Sequence, residues 1–327
     1  MTSSPPRPRV LQALRLMPSL EARLAAAFDV HRLFDEADPH AFLAAEGASF
    51  AGLVTSAAVG ADEALLRALP GLQVISSFGV GLDKLDLAAA QRRGIAVGYT
   101  PDVLNDCVAD LAFGLMLDVA RGLSAADRYV RRGAWAGAGS PATAPFPLGR
   151  KVSGARLGVV GLGRIGSTIA RRAGGFDMSV RYHSRRPVAD APWPHEPSLP
   201  ALAEWADYLV VIVAGGAGTR HLIGADVLDA LGPRGFLINV SRGSVVDEAA
   251  LVRALADKRI AGAGLDVFEN EPNVPPALFA LDNVVLLPHI ASGTVETRQA
   301  MADRVFDNLE LFFGEGRLVS PAPAPPA

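Results

Sequence analysis

Leu157-Gly-Val-Val160-Gly161-Leu162-Gly163-Arg164-Ile165-Gly166-Ser167-Thr-Ile-Ala-Arg-Arg172 is the stretch on which the fold turns. An apolar run enters a G-x-G-x-x-G turn, and a helical pattern leaves it. The first glycine permits a tight turn, the second removes a side chain where a pyrophosphate must approach, and the third lets helix and strand pack closely. The N-terminus of the following helix then presents unpaired N–H groups and a partial positive charge to phosphate. A glycine pattern alone is a weak signal. Here a strand precedes it, a helix follows it, and a second strand, Ser179–His183, arrives on schedule.

Working downstream, apolar runs predict strands at 156–160, 179–183, 208–213, 236–240, 261–265 and 284–287, six in the order a dinucleotide-binding sheet requires. Upstream, Val10–Leu14, Gly52–Thr55 and Val74–Ser77 read as strands. Leu20–Phe28 and Glu63–Leu69 read as helices, the second stopped by Pro70-Gly71. Alternating strands and helices imply an α/β fold with parallel sheets and right-handed crossovers. Asp106–Arg121 is a long helical pattern, Gly133–Gly154 an irregular Gly/Ala/Pro-rich excursion, and Glu296–Phe312 a final amphipathic helix.

The 327 residues suffice for two domains; half are hydrophobic and the net charge is -3, so no basic field invites nucleic acid. The lone Cys107 cannot form an intrachain disulfide, and no metal-ligand spacing is present. Arg15, Glu21 and Arg23 interrupt the N-terminal apolar run, and Tyr208–Ala214 is far too short to span a bilayer. The expectation is a soluble, cytoplasmic protein with no membrane partner. Thr2–Pro6 and Pro321–Ala327 are expected to be loose tails.

The strand at 179–183 ends at Ser184-Arg185-Arg186. An NAD site usually carries an Asp or Glu here for the ribose hydroxyls. A carboxylate would repel a 2'-phosphate, whereas Ser184, Arg185 and Arg186 can hold one by charge-assisted hydrogen bonds. NADP is therefore the expected cofactor, with NADPH preferred over NADH.

Three later segments each end a predicted strand: Asn239-Val240-Ser241-Arg242-Gly243, Gly264-Leu-Asp266-Val-Phe-Glu269-Asn-Glu271-Pro272 and Leu287-Pro-His289. Ligands of open α/β sheets gather at the carboxyl ends of strands. An arginine, an acid and a histidine converging there suit carbonyl reduction. The guanidinium orients a 2-oxo acid and stabilises charge growing on its ketone oxygen, and an acid-backed imidazole supplies the proton.

Together with Gly161–Gly166, these segments resemble the D-isomer-specific 2-hydroxyacid dehydrogenase family over roughly residues 9 to 320. Ser76-Ser-Phe-Gly-Val-Gly-Leu-Asp83, Tyr182-His-Ser-Arg185 and Ser292-Gly-Thr-Val-Glu-Thr-Arg298 are similar to its NADPH-using hydroxypyruvate and hydroxyphenylpyruvate reductases. The resemblance implies two Rossmann-like or flavodoxin-like domains. The small, substrate-binding one would be discontinuous (1–100 plus 290–327), with the dinucleotide-binding domain at 101–289, hinges near 101 and 289, and the active site between them. It implies that Arg242 binds substrate, Glu271 pairs with the histidine in preference to Glu269, and His289 donates the proton. It puts Asp266 near the nicotinamide amide and the main-chain N–H groups of Val80 and Gly81 on the substrate carboxylate. Further cofactor contacts are implied for Leu162, Arg164, Ile165, Val213, Thr219, Val240, Ser241 and Ser292. Family members often carry a Thr-Pro-Glu-Thr-like turn where this chain has Gly216-Ala-Gly-Thr219, so only Thr219 is retained.

The family's dimers imply a homodimer through the 104–150 region. Trp135 and Phe146 would then form either interface packing or a wall of the partner's substrate pocket. His183 suits an adenosine contact or strand-end packing equally, and Cys107 reads as a small buried apolar residue. The leading function is NADPH-dependent reduction of a small 2-oxo acid of the glyoxylate or hydroxypyruvate type to the D-2-hydroxy acid. The alternative is a dehydrogenase-like protein that senses NAD(P) without significant turnover. Phosphoglycerate and formate dehydrogenases are more distant rivals, disfavoured by the NADPH signature and by the lack of appended regions.

Overall fold

Short, mostly apolar runs form the parallel strands of the computed structural model, which describes residues 7–136 and 146–324. Two compact units emerge, Met1–Leu104 with Thr294–Ala327 and Asn105–Gly293.

In the first unit, β1 (Arg9–Gln12), α1 (Pro18–Ala27), β2 (Asp29–Arg32), α2 (Pro39–Glu46), β3 (Gly52–Ser56), α3 (Glu63–Ala68), β4 (Val74–Phe78), α4 (Leu87–Arg92) and β5 (Ala96–Gly98) follow one another. The sheet order is β2-β1-β3-β4-β5, all parallel. Asp38, Asp62 and Asp86 cap the N-termini of α2, α3 and α4 by accepting main-chain N–H bonds. Leu11, Leu53 and Ile75 carry the strands' contribution to a core completed by Leu43, Leu66 and Leu69. The final helix, Val295–Glu315, lies against β4, where Ser76 Oγ donates to the Val305 carbonyl at 3.0 Å. Gly98 permits this packing at β5, since a Cβ there would sit 2.7 Å from Asn308 Nδ2. The small unit is thus discontinuous in sequence.

Three features of this unit depart from the sequence-based expectation. β2 reads Asp-Val-His-Arg and is an edge strand with no apolar run to announce it; β5 is only three residues long. The C-terminal segment is anchored at its start. Ser320 is buried, Pro321 bridges Gly98, and Ala322 N donates to Val97 O at 2.7 Å. The unpaired edge of β5 and the polar side chain of Asn308 supply partners that composition does not reveal.

The second unit opens with α5 (Asn105–Arg121) and α6 (Leu123–Arg131), which occupies sequence just ahead of the expected irregular excursion. Then come β6 (Arg156–Val160), α7 (Arg164–Arg172), β7 (Ser179–His183), α8 (Leu199–Trp205), β8 (Tyr208–Val211), α9 (Ala225–Leu231), β9 (Phe236–Asn239), α10 (Glu248–Ala256), β10 (Gly262–Leu265) and β11 (Val284–Leu286). The sheet order is β11-β10-β9-β8-β6-β7, again all parallel. Direction reverses between β6 and β8, which makes the crevice above them the switch point where ligands bind in such sheets. Outside β7 the sheet ends in a single parallel bridge, Tyr182 to His195. A third strand of the first βαβαβ half is therefore present as one residue, and β8 lies on the opposite side of β6. Gly262 and Gly264 on β10 let α5 lie close to the sheet, where Cβ atoms would meet Val119 and Leu115. The last helix, α11 (Val295–Glu315), has already been placed in the first unit.

Residues 137–145, within the expected excursion and the 104–150 dimer region, lie outside the described residues, as do 1–6 and 325–327 of the tails. Among the described residues no helix is long and apolar enough to cross a membrane, and no group of three or more His, Cys, Asp and Glu could hold a metal ion.

Candidate active site

The glycine turn between β6 and α7 has the three environments its pattern demands. Gly161 has φ +101°, and a Cβ there would sit 2.9 Å from Ile212 O and from Val213 Cγ1. A Cβ at Gly166 would sit 2.0 Å from Gly161 O, so the helix could not close on the turn. Gly163 is different: no heavy atom lies within 4 Å of its Cβ position. Protein packing explains the first and third glycines, and open space over the second leaves room for a pyrophosphate. No side chain caps α7, whose first residues are Arg164 and Ile165, and the partial positive charge of a helix N-terminus favours an anion there. Leu162 is buried beneath the turn, and Gly161 N donates to His183 O at 2.9 Å. A dinucleotide phosphate fits this cradle.

At the end of β7 the chain turns through Ser184, Arg185 and Arg186. Ser184 Oγ donates to Arg186 O at 2.6 Å, tightening the turn. Arg185 and Arg186 are exposed, and neither side chain makes an ion pair or hydrogen bond with the described residues. His183 Nδ1 lies 2.9 Å from Glu196 O, a main-chain contact that ties the strand end to the segment after His195.

The three strand ends assemble a second cluster. After β9, the buried Asn239 organises the arginine turn. Its Oδ1 accepts from Ser241 N (3.1 Å) and Ser241 Oγ (2.9 Å), and its Nδ2 donates to Arg242 O (3.0 Å). Gly243 is required here because a Cβ would lie 1.8 Å from the Phe268 carbonyl carbon. The peptide between Phe268 and Glu269 therefore packs flat against the residue following Arg242. Glu269 N donates to Glu248 Oε1 on α10 at 2.7 Å, which fixes that peptide from its other side.

Two residues on, Glu271 is joined to Pro272 by a cis peptide bond. Its Oε2 lies 2.7 Å from His289 Nδ1, and its Oε1 accepts from Phe268 N at 3.1 Å. Burial raises the Glu271 carboxyl, but the His289 and Phe268 hydrogen bonds and the charges of His289 and Arg242 outweigh it and hold it below the ordinary carboxylate value. The structure thus brings Arg242, Glu271 and His289 together. Glu269 is occupied elsewhere, with Arg220 at 2.6 Å and His221 at 3.1 Å.

His289 has φ +55°, a left-handed conformation that a non-glycine residue adopts only when its surroundings impose it. Asp266 imposes it. Its main-chain oxygen accepts from His289 N (2.9 Å), its Oδ1 from Ile290 N (2.7 Å) and its Oδ2 from Ala291 N (2.8 Å). Asp266 is fully buried; burial raises its carboxyl, and the two N–H bonds oppose that rise. The resemblance placed Asp266 beside a nicotinamide amide. In the structure each of its carboxylate oxygens accepts a main-chain N–H from the turn that presents His289, an arrangement formed across a fold and invisible in local sequence.

The other expected cofactor residues are dispersed around the switch point. Val213 lines the first glycine, Val240 and Ser241 are buried in the arginine turn, and Ser292 is half-buried beyond the Asp266 clamp. Thr219 spends its hydroxyl on Ala214 O at 2.7 Å, closing its own loop. Trp135 is about half exposed, and the Phe146 ring packs on Tyr129 at 5.6 Å. In the first unit, Gly79 (φ +137°) turns the chain after β4, tied by Gly79 N to Thr100 Oγ1 at 3.1 Å and Thr100 N to Gly79 O at 3.0 Å. The next two N–H groups, of Val80 and Gly81, have no acceptor among the described residues.

Residues 113–291 match the model of the D-isomer specific 2-hydroxyacid dehydrogenase NAD-binding domain. Hydroxyphenylpyruvate reductase from Plectranthus scutellarioides is 47% identical over 312 residues, covering 95% of this chain and 98% of the relative. Glyoxylate/hydroxypyruvate reductase A from Arabidopsis thaliana is 45% identical with the same coverage. Among solved structures, the NADPH-dependent glyoxylate/hydroxypyruvate reductase from Sinorhizobium meliloti, in complex with NADP and malonate, superposes with a TM-score of 0.90 at 46% identity, covering 97% of each chain.

Proposed function

The chain belongs to the D-isomer specific 2-hydroxyacid dehydrogenase family, and we propose that it is an NADPH-dependent reductase of small 2-oxo acids of the glyoxylate or hydroxypyruvate type, yielding the D-2-hydroxy acid. The observation that carries this proposal is the 2.7 Å contact between His289 Nδ1 and Glu271, beside Arg242, at the carboxyl ends of β9, β10 and β11.

An ionised Glu271 can only accept, so His289 Nδ1 carries a hydrogen and Nε2 is the atom left for substrate. His289 Nε2 gives its proton to the ketone oxygen as the alcohol forms, and Glu271 balances the imidazolium charge beforehand. Arg242 grips the substrate carboxylate and ketone oxygen, stabilising the charge that grows there. The unclaimed N–H groups of Val80 and Gly81 receive the carboxylate. When bound, NADPH supplies the hydride. The glycine turn at Gly163 and the α7 N-terminus would hold its pyrophosphate, and Ser184, Arg185 and Arg186 would hold its 2'-phosphate. The NADP complex of the Sinorhizobium meliloti reductase supports this cofactor. We further propose a homodimer formed through the 104–150 region.

The test is turnover of a panel of 2-oxo acids with NADPH and with NADH. Enzyme-like rates on glyoxylate or hydroxypyruvate, with NADPH favoured, are expected. Cofactor binding without turnover on any acid would leave a nicotinamide-sensing protein in place of an enzyme. Arg185→Ala should raise the KM for NADPH far more than that for NADH, and equal effects would defeat the cofactor assignment.

A further inference from the structure

The outer edge of the second unit's sheet ends in one bridged residue, His195, and that residue touches the turn bearing the two exposed arginines. Tyr182 N donates to Pro194 O at 3.1 Å and Glu196 N to Tyr182 O at 2.7 Å, so His195 is locked in parallel register beside β7. Its ring packs 5.1 Å from that of Tyr182 and 6.5 Å from that of His183. His195 Nε2 lies 3.0 Å from Ser184 O. A carbonyl can only accept, so Nε2 is the protonated nitrogen and His195 is the donor.

We propose that His195 is a positioning residue for the cofactor's 2'-phosphate, an assignment that rests on the NADPH reading above. Three bonds tie the turn before any ligand arrives. They are His195 to the Ser184 carbonyl, Ser184 Oγ to the Arg186 carbonyl (2.6 Å), and Val188 N to Tyr182 Oη (2.9 Å). Arg185 and Arg186 project from a backbone already ordered, while their guanidinium groups stay without partners among the described residues. Ordering a loop in advance strengthens binding by removing a cost otherwise met on association. The same strand end also holds the phosphate turn through Gly161 N on His183 O, so the supports of the pyrophosphate and the 2'-phosphate meet at residues 183 and 184. The shortened third strand thus delivers one hydrogen-bond donor to the loop that distinguishes the two nicotinamide dinucleotides.

The experiment measures calorimetric Kd values of the full chain for NADPH and NADH, with thermal melting as control, in His195→Ala, His195→Met, His195→Gln and Arg185→Ala. Losing one hydrogen bond predicts a roughly three- to tenfold weaker NADPH Kd in His195→Ala and His195→Met, with NADH unchanged. Gln restores an N–H at similar reach and should keep NADPH binding within about twofold of the parent. Equal weakening toward both dinucleotides, or none toward either, overturns the positioning role. If His195→Ala melts early, the comparison of Met with Gln decides, because both fill the space and only Gln donates. Arg185→Ala separates the two levels. If it weakens NADPH and NADH alike, the NADPH assignment itself falls. If it is selective while the His195 variants are not, only the role of His195 falls.

Discussion

Asp266→Asn is the substitution that best separates the geometry of this protein from what resemblance alone assigns. The Asp266 carboxylate is fully buried and receives two main-chain N–H groups, at 2.7 and 2.8 Å. Hydrogen bonds to a charged group are each worth about 1.5–3 kcal/mol. Asparagine keeps one acceptor and turns a donor toward the other N–H, losing one such bond and stranding a buried donor at a further cost of about 1–3 kcal/mol. Relief of the buried charge offsets part of this, since burial raises the Asp266 carboxyl. The net expected loss is about 2–4 kcal/mol, or roughly 4–16 °C in the Tm of a unit this size. His289 also loses the clamp that holds it at φ +55°, so kcat should fall while cofactor KM stays near its parent value. Differential scanning calorimetry and steady-state kinetics with NADPH read these quantities separately. A raised cofactor KM at unchanged Tm and kcat would refute the clamp's part in holding His289 and leave the nicotinamide amide as the role of Asp266.

Other consequences can be measured directly. His289→Ala should lower kcat by about 10²–10⁴ while NADPH Kd, read by fluorescence titration, stays close to the parent value; retained turnover would remove His289 from the chemistry. Gly163→Ala should fold normally and bind NADPH weakly, because its Cβ enters open space, whereas Gly166→Ala should lower Tm through its 2.0 Å encounter with Gly161 O. Glu248→Gln keeps an oxygen for Glu269 N but removes a carboxyl pushed up by burial and by Glu269 and Glu271. A raised folded-state pKa contributes stability below the ordinary value of 4.5 and loses it as pH rises, so the variant should melt higher than the parent at pH 8 and show no gain at pH 4. Asp207 runs the other way. Hydrogen bonding to Arg156 holds its carboxyl below 3.8, so its contribution is complete above that value and disappears as pH falls through the lower folded-state value. Asp207→Asn should therefore be less stable than the parent at pH 6, the difference vanishing in strong acid.

The second unit was largely legible because most of its strands are apolar runs, several closed by Gly161, Asp266 or Pro288. Tyr208–Val211 and Phe236–Asn239 lie within the ranges expected from sequence. β2 was not legible, since Asp29-Val-His-Arg32 alternates nothing, and the one-residue strand at His195 carries no periodicity at all. In the site, an arginine, two candidate acids and a histidine could be named from strand ends, and the resemblance already preferred Glu271 to Glu269; that Glu269 is engaged by Arg220 and His221, with its main-chain N–H on Glu248, could be read only from the fold. The roles of Asp266 and His195 depend on main-chain groups brought in by the fold, and main-chain groups leave no trace in residue types.

The stitch of residues 320–322 along β5 has a consequence for how this chain behaves in company. An open sheet border invites a neighbouring molecule's backbone to add itself on, the first step of many aggregates. Here Ser320 O takes the Tyr99 N–H and Ala322 N takes the Val97 carbonyl, while Pro321 between them has no N–H to offer a newcomer. Residues 320–322 thus act as a selvedge, and a version trimmed before residue 318 should precipitate on storage long before it loses its fold.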